Sequence, residues 1–391
     1  MAHWRCTYYS SGVTSSRNLL GVMTAAALLA VTSCSTEDES AQRGNHAAPL
    51  DGGTEVSDPD ISDEEQDDDA AEPESAEQPY EAAEGFEEIA QRLGELPGNV
   101  EALVLEDGET LLQLGEGGAV PLASVSKLYV LAALAEAAEG EGVDWMDQLE
   151  VTEQVRSLPS GTLQDQVEGY TTTVFDAAHR MISISDNTGT DMIMGLLGRD
   201  AVEEAAGEFG HHDPQLMQPF LTTRELFQLR WGVPELGEDW AELEESERRQ
   251  VLDEVSEEEL EITSDDTSRH DLDFAVDWFA SAEDIATLHQ QLAARAEGQD
   301  ELQEILVANP GLAETVEDQW WEELSFKGGG LPGVVTGSWH AQAEDGTERT
   351  VVMLLRTDDT EDIDDHRTEL FDLALDALIA GTETDRENDD A

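Results

Sequence analysis

Pro121-Leu122-Ala123-Ser124-Val125-Ser126-Lys127 opens an apolar run that continues to Ala138 and stops at Gly140. The pattern predicts a long buried helix beginning near Ser124. Residues three apart share a helix face, so Ser124 Oγ and the Lys127 amine can meet. A serine needs a base to become a nucleophile, and a neutral lysine can be that base. Lys127 must then lose its proton more easily than free lysine, through burial or nearby positive charge. A serine at a helix start also faces backbone N–H groups, which suits a developing oxyanion. Such a pair recurs by chance in many chains. Here Lys127 is one of two lysines in 391 residues, the other being Lys327, and every other basic residue is arginine. Arginine cannot give up its proton in a protein, whereas lysine can be tuned to do so.

Two further stretches belong with the first. Ser185-Asp186-Asn187 lies within Ile182–Thr188, and Lys327-Gly328-Gly329-Gly330 lies on a strand pattern. Each has a structural reading as well. Ser185, Asp186 and Asn187 all favour helix N-caps, and Asp186 suits bracing its loop. Lys327 could protect an edge strand.

The pattern around these stretches sets the architecture. Ala82–Leu96 has Phe86, Ile89, Ala90 and Leu93 at helical spacing. Val100–Leu105 and Thr110–Leu114 flank Asp107-Gly108, a hairpin signature. A helical middle runs from Asp144 to Glu323. Strand patterns return at Leu324–Lys327, Gly333–Ala343 and Arg349–Leu355, and Thr368–Ala380 closes with a helix. The expected fold class is α+β: an antiparallel sheet built from both termini, flanked by helices, with an all-helical lobe inserted. The α/β lobe takes 82–143 and 324–383, and the helical lobe 144–323. A cleft between the two is the natural place for a site.

Together the three motifs, in this order and on these elements, resemble the serine β-lactamase and penicillin-binding-protein superfamily, most closely its class A β-lactamase-like branch. Ser157-Leu158-Pro159-Ser160-Gly161 and Phe220–Leu226 resemble segments of actinobacterial lipoprotein members. The resemblance implies a β-lactamase/transpeptidase-like fold and covalent acyl transfer without a metal or other cofactor. Ser124 would attack a carbonyl, Lys127 would take or relay its proton, and Ser185 would pass a proton to the leaving nitrogen. Asn187 would hold Lys127 and the substrate amide. Lys327 would depress the Lys127 pKa and attract an anion. Gly328 follows Lys327 at the substrate-binding strand, and the N–H groups of Ser124 and Gly330 would form an oxyanion hole.

The chain departs from the family at three places. Gly328 stands where the third motif normally has Thr or Ser, whose hydroxyl helps bind a substrate carboxylate. The loop that carries the deacylating glutamate of class A enzymes looks shortened or missing after Gly210, with Asp213 and Glu225 the nearest acids. Trp231–Asp271 is an acidic, helix-prone insertion. These departures lead to an expected exported serine hydrolase that acylates Ser124 with a β-lactam or related amide or ester, with impaired deacylation. The alternatives are a D-alanyl-peptide enzyme of penicillin-binding type and a non-catalytic binding or sensor lipoprotein. His211-His212-Asp213 hints at a metal, but no third ligand follows at useful spacing, so a polar loop is expected.

The termini point to export. Leu19–Val31 is an apolar stretch too short for an ordinary spanning helix, and it ends in Leu29-Ala30-Val31-Thr32-Ser33-Cys34. This resembles a lipoprotein signal over 1–34, with Cys34 lipidated and the mature domain anchored to the outer face of a membrane. Cys6 would leave with the signal, so the mature domain would have no disulfide. Residues 35–81 read as a disordered acidic tether, 82–383 as the domain, and 384–391 as a frayed tail. The formal net charge is −71, which excludes nucleic acid as a partner by charge. Acid excess with few lysines suits a salt-adapted protein. A monomer is expected, with a small molecule or cell-wall peptide as substrate.

Overall fold

The computed structural model describes residues 80–140, 142–267, 274–309, 311 and 320–382. The expected signal peptide, Cys34, nearly all of the tether, and the tail lie outside these residues. Among the described residues, no helix is long and apolar enough to cross a membrane.

The main sheet is antiparallel, in the order β1-β3-β2-β10-β9-β8. Its strands are β1 (Tyr80–Ala82), β2 (Asn99–Glu106), β3 (Glu109–Leu114), β8 (Glu323–Leu331), β9 (Val334–Gln342) and β10 (Glu348–Arg356). The β2–β3 hairpin turns on Asp107 and Gly108, both at positive φ (47° and 82°). This is the geometry that Asp-Gly serves at least steric cost. Chain ends meet at the centre, where Val104 of β2 faces Val351 of β10.

Both faces of the sheet are covered, which explains the unbroken apolar run of β10. Val351, Met353 and Leu355 point to one side and join Leu93 of α1 (Glu87–Gly94) and Leu370, Leu373 and Ala374 of α12 (Ile363–Ile379). Val352 and Leu354 point to the other side. There they join α2 (Lys127–Glu139) and α10 (Ala282–Ala296), which carry the larger core into the helical lobe. α2 is so enclosed that Lys127 through Ala135 are all buried.

The lobe also holds α3 (Val174–Ser183), α4 (Asn187–Leu197), α5 (Arg199–Glu208), α6 (Thr223–Phe227) and α11 (Asp300–Leu306). Sequence reading expected an all-helical lobe, but the described residues include two strands here. A ribbon of β5 (Gln148–Glu150) and β6 (Thr171–Thr173) sits at its margin, too short for period-two patterning to reveal. The sheet also begins at Tyr80, ahead of the expected domain start at 82. β1 pairs with β3 by backbone contacts that its acidic sequence does not advertise.

The largest correction concerns the stretch after Gly210. Its described residues are held at both ends. It carries α6, α7 (Pro234–Gly237), α8 (Glu245–Ser256) and α9 (Ser264–Thr267). It returns as β7 (Phe279–Ala280), which pairs with β4 (Val120–Pro121) just ahead of Ser124. Within the acidic insertion, Trp240, Leu252 and Val255 are buried in the main core, so the segment contributes packing.

Candidate active site

Ser124 sits in a 3-10 turn, Ala123–Ser126, that feeds directly into α2. The turn is tight because Ala123 is held at φ 47°. That left-handed conformation is costly for a residue with a Cβ, and neighbours must impose it. Asp277 does so from the end of the excursion, accepting the Ala123 N–H at 2.9 Å and the Trp278 N–H at 2.7 Å. Leu122 N–H donates to Trp278 O at 2.9 Å. From the other side Thr336 Oγ1 donates to Leu122 O at 2.9 Å. Strand β8 presses so closely that a Cβ on Gly329 would lie 2.7 Å from both Ser124 N and Leu122 O. Asp277 has its pKa pushed up to about 6 by burial, against the hydrogen bonds it accepts and the nearby Arg230.

Lys127, one helical turn on, points back at the serine. Its Nζ lies 2.8 Å from Ser124 Oγ, 3.1 Å from Ser185 Oγ and 2.6 Å from Asn187 Oδ1. The side chain is buried, while Ser124 and Ser185 remain partly accessible. Burial lowers the Lys127 pKa to about 7, and the charges of Asp191 and Asp186 oppose that shift.

Lys327 is buried on β8 and reaches the same serine from the opposite side, with Nζ 3.0 Å from Ser185 Oγ. It also donates to Gly328 O at 2.7 Å. Burial, then the positive charge of Lys127, pushes the Lys327 pKa well below the ordinary lysine value. Desolvation is the first cause of the lowering at each lysine, with the charge of Lys127 a further cause at Lys327.

Ser185 itself sits at φ 57°. Its loop is clamped by 157–161: Ser160 Oγ donates to Ser185 O at 2.7 Å, and Asn187 N donates to Ser160 O at 3.0 Å. Asn187 Nδ2 donates to Leu158 O at 3.0 Å, which turns Oδ1 toward Lys127. Asp186 is both helix cap and brace. It accepts Gly189 N–H at 2.9 Å, Thr162 N–H at 2.7 Å and Leu163 N–H at 3.0 Å.

The structure thus brings Ser124, Lys127, Ser185, Asn187 and Lys327 into one hydrogen-bonded group, with Gly328, Gly329 and Gly330 alongside on edge strand β8. Gly328 has a local reason. A Cβ there would lie 2.7 Å from Phe326 Cζ, and Phe326 is wedged between Trp339 and Phe371 at ring distances of 4.9 and 5.9 Å. Gly330 is exposed and open. Glu225 is occupied elsewhere: it pairs with Arg199 at 2.7 Å and closes a capping box with Thr222.

Sequence reading missed Asp277 and Asp191. Asp191 is buried, accepts Thr223 N–H at 2.8 Å and Arg224 N–H at 2.9 Å, and has its pKa raised by burial to about 7. It lies one turn beyond Asn187 on α4, a spacing that could have drawn attention to it. Nothing in the sequence pairs Asp277 with Ala123.

Comparison with known proteins agrees with this fold. The profile of a family described as the beta-lactamase enzyme family matches residues 85–319, a span that includes the first two motifs and ends before Lys327. Among solved structures, a beta-lactamase from Sphaerobacter thermophilus is 20% identical with a TM-score of 0.53, covering 75% of this chain and 97% of that one. A class A beta-lactamase from Bacteroides cellulosilyticus is 17% identical with a TM-score of 0.52, covering 76% and 96%. PBP-A is 18% identical with a TM-score of 0.51, covering 75% and 94%. At these identities the likeness is one of fold. No curated protein sequence matches the chain. The family match spans more than half of the chain, and the chain belongs to the beta-lactamase enzyme family, within the β-lactamase/transpeptidase-like serine hydrolase superfamily.

Proposed function

We propose that this protein is a serine acyl-transfer enzyme with Ser124 as nucleophile, acting on a β-lactam or a related amide or ester. The observation that carries the reading is the 2.8 Å approach of a buried, proton-shedding Lys127 amine to an accessible Ser124 hydroxyl. Neutral Lys127 takes the Ser124 proton as Oγ forms a bond to the substrate carbonyl carbon. The carbonyl oxygen becomes an oxyanion facing the N–H groups of Ser124 and Gly330. When the C–N bond breaks, Ser185 gives its proton to the nitrogen and regains one from Lys127, which carries the proton taken from Ser124 and lies within hydrogen-bond reach of the Ser185 hydroxyl. Asn187 holds Lys127 in register and offers its amide to the substrate.

Release of the acyl group is proposed to be slow. Hydrolysis needs a base on the attacking water, and Glu225 is tied up by Arg199 and Thr222. This favours a second reading, a cell-wall D-alanyl-peptide enzyme of penicillin-binding type. One solved neighbour, a mutant of PBP-A, is described as an acyl-enzyme complex with penicillin G. We further propose that the protein is exported and held at a membrane surface by lipid on Cys34. Cys34→Ala should release it from the membrane fraction, and unchanged partitioning would refute the anchor.

The deciding experiment is incubation with a fluorescent penicillin followed by intact-mass measurement. A stoichiometric adduct that disappears in Ser124→Ala supports the acyl-enzyme. No adduct on any β-lactam or peptide ester tested, or an adduct that survives Ser124→Ala, rejects it. Rapid turnover of a chromogenic cephalosporin would reject slow deacylation alone.

A further inference from the structure

His211 and His212 follow α5, and the carboxylate of Asp284 meets them from the first turn of α10. One donor atom from each of the three lies within 4.8 Å of the others. His211 is fully buried and its tautomer is set by its neighbours. Nε2 faces Phe279 O at 2.8 Å, and only an N–H can do so, which leaves Nδ1 as the lone-pair nitrogen. A ring nitrogen turned into place by a backbone carbonyl on its other side is how ligating histidines are commonly oriented. Nδ1 of His211 lies 3.9 Å from Asp284 Oδ2, and Nδ1 of His212 lies 2.8 Å from the same oxygen. The two imidazoles are stacked with centroids 5.7 Å apart.

A second observation bears on the same place. The Tyr129 hydroxyl is buried and has no hydrogen-bond partner. The ring lies 5.7 Å from that of His211. Orphaned buried hydroxyls are rare and generally mark an unseen water or ion.

We propose that His211 Nδ1, His212 Nδ1 and Asp284 form a binding site for a borderline divalent transition metal of the zinc type. Two imidazoles and one carboxylate suit zinc, cobalt or nickel and are too few in oxygen for calcium. The metal takes the place of the proton between His212 Nδ1 and Asp284, and it displaces the Asp213 N–H from His211 Nδ1, now 3.1 Å away. Asp284 keeps its contacts from Ser281 N–H at 2.8 Å and His212 N–H at 2.8 Å. The ion would pin the end of α5 to the start of α10, next to the β4–β7 pair that leads into Ser124. The third ligand is 72 residues from His212, so sequence spacing could not disclose it.

The full chain carries a formal net charge of −71, so the test must separate this site from general cation binding. The full chain, stripped with chelator, is titrated with cobalt(II) in excess calcium while visible absorption is recorded. Zinc-dependent thermal stability is measured in parallel. One cobalt equivalent with intense ligand-field bands of low coordination number is expected, together with a melting-temperature rise of about 5 °C at hundredfold zinc excess over the dissociation constant. Both should vanish in His212→Gln, whose exposed side chain can still donate to Asp284, so the fold is retained. Asp284→Asn should behave alike. Equal cobalt uptake by wild type and His212→Gln, or no calcium-resistant binding, would overturn the site and leave a plain His212–Asp284 hydrogen bond.

Discussion

Lys327 Nζ lies 3.0 Å from Ser185 Oγ, and Lys127 Nζ shares that oxygen at 3.1 Å. The only two lysines in the chain therefore meet on one hydroxyl, although 200 positions separate them. Two buried ammonium groups at such a distance would repel strongly. The arrangement is tolerable because burial favours their neutral forms, and neutral amines are what proton relay requires.

Lys127→Arg should abolish acylation while keeping a cation. General-base removal costs about 10²–10⁴-fold, and arginine cannot serve as base. Burst amplitude and rate with a fluorescent penicillin report this. Acylation within threefold of wild type would remove Lys127 from that role.

The acylation rate should rise with pH through about 7, where Lys127 becomes neutral, and level off above it. Lys127 is protonated at lower pH, so the rate should fall about tenfold per unit there. Stopped-flow acylation between pH 5 and 9 checks this. A flat profile would mean that another group takes the proton.

Stability should also increase with pH between about 7 and 10. Both lysines are held below their ordinary value in the folded state, so the unfolded chain binds more protons in that window. Asp191, whose carboxyl burial raises to about 7, still loses its proton at the low end of the window and acts in the opposite sense. Chemical denaturation at pH 7 and 9.5 should show wild type gaining a few kcal/mol, and Lys127→Met gaining less.

Gly329→Ala should lose both stability and acylation, because its Cβ would lie 2.7 Å from Ser124 N. Overpacking of this kind costs about 1–3 kcal/mol. Gly330→Ala meets nothing nearer than 3.6 Å and should fold like wild type. Equal melting temperatures for the two variants would contradict the close packing of β8 on the nucleophile turn.

Gly328→Thr alone should be poorly tolerated, since its Cβ would strike Phe326 at 2.7 Å. Pairing it with Phe326→Leu should relieve the clash and place a hydroxyl beside Lys327. The double variant should acylate faster with carboxylate-bearing β-lactams, read as a several-fold lower KM. No change would separate anion recognition from position 328.

The helix from Lys127, the Asp107-Gly108 hairpin and the three strands near the end were legible because each is a local pattern. β1 was not, since Tyr80–Ala82 forms a strand only through its partner Leu112–Leu114. The packing role of the acidic insertion 231–271 was not legible for a similar reason. Its acidic helix-prone sequence looks solvated, yet Leu252 and Val255 face the core, and Asp277 beyond its far end clamps Ala123.

The sequence by itself determined the chemistry on offer: a serine one turn from a lysine, a Ser-Asp-Asn stretch, and a second lysine in a chain that avoids lysine. Residue types and short spacings carry that information, because helix and turn geometry follow from local sequence. Only the tertiary structure decided that these pieces share one hydroxyl, that Asp277 enforces the strained turn before Ser124, and that Asp284 completes a histidine pair. Those contacts join residues 58 to 154 positions apart, and they form only when the core packs the excursion and the sheet against α2. Packing also supplies the desolvation that makes two ordinary lysines able to give up their protons.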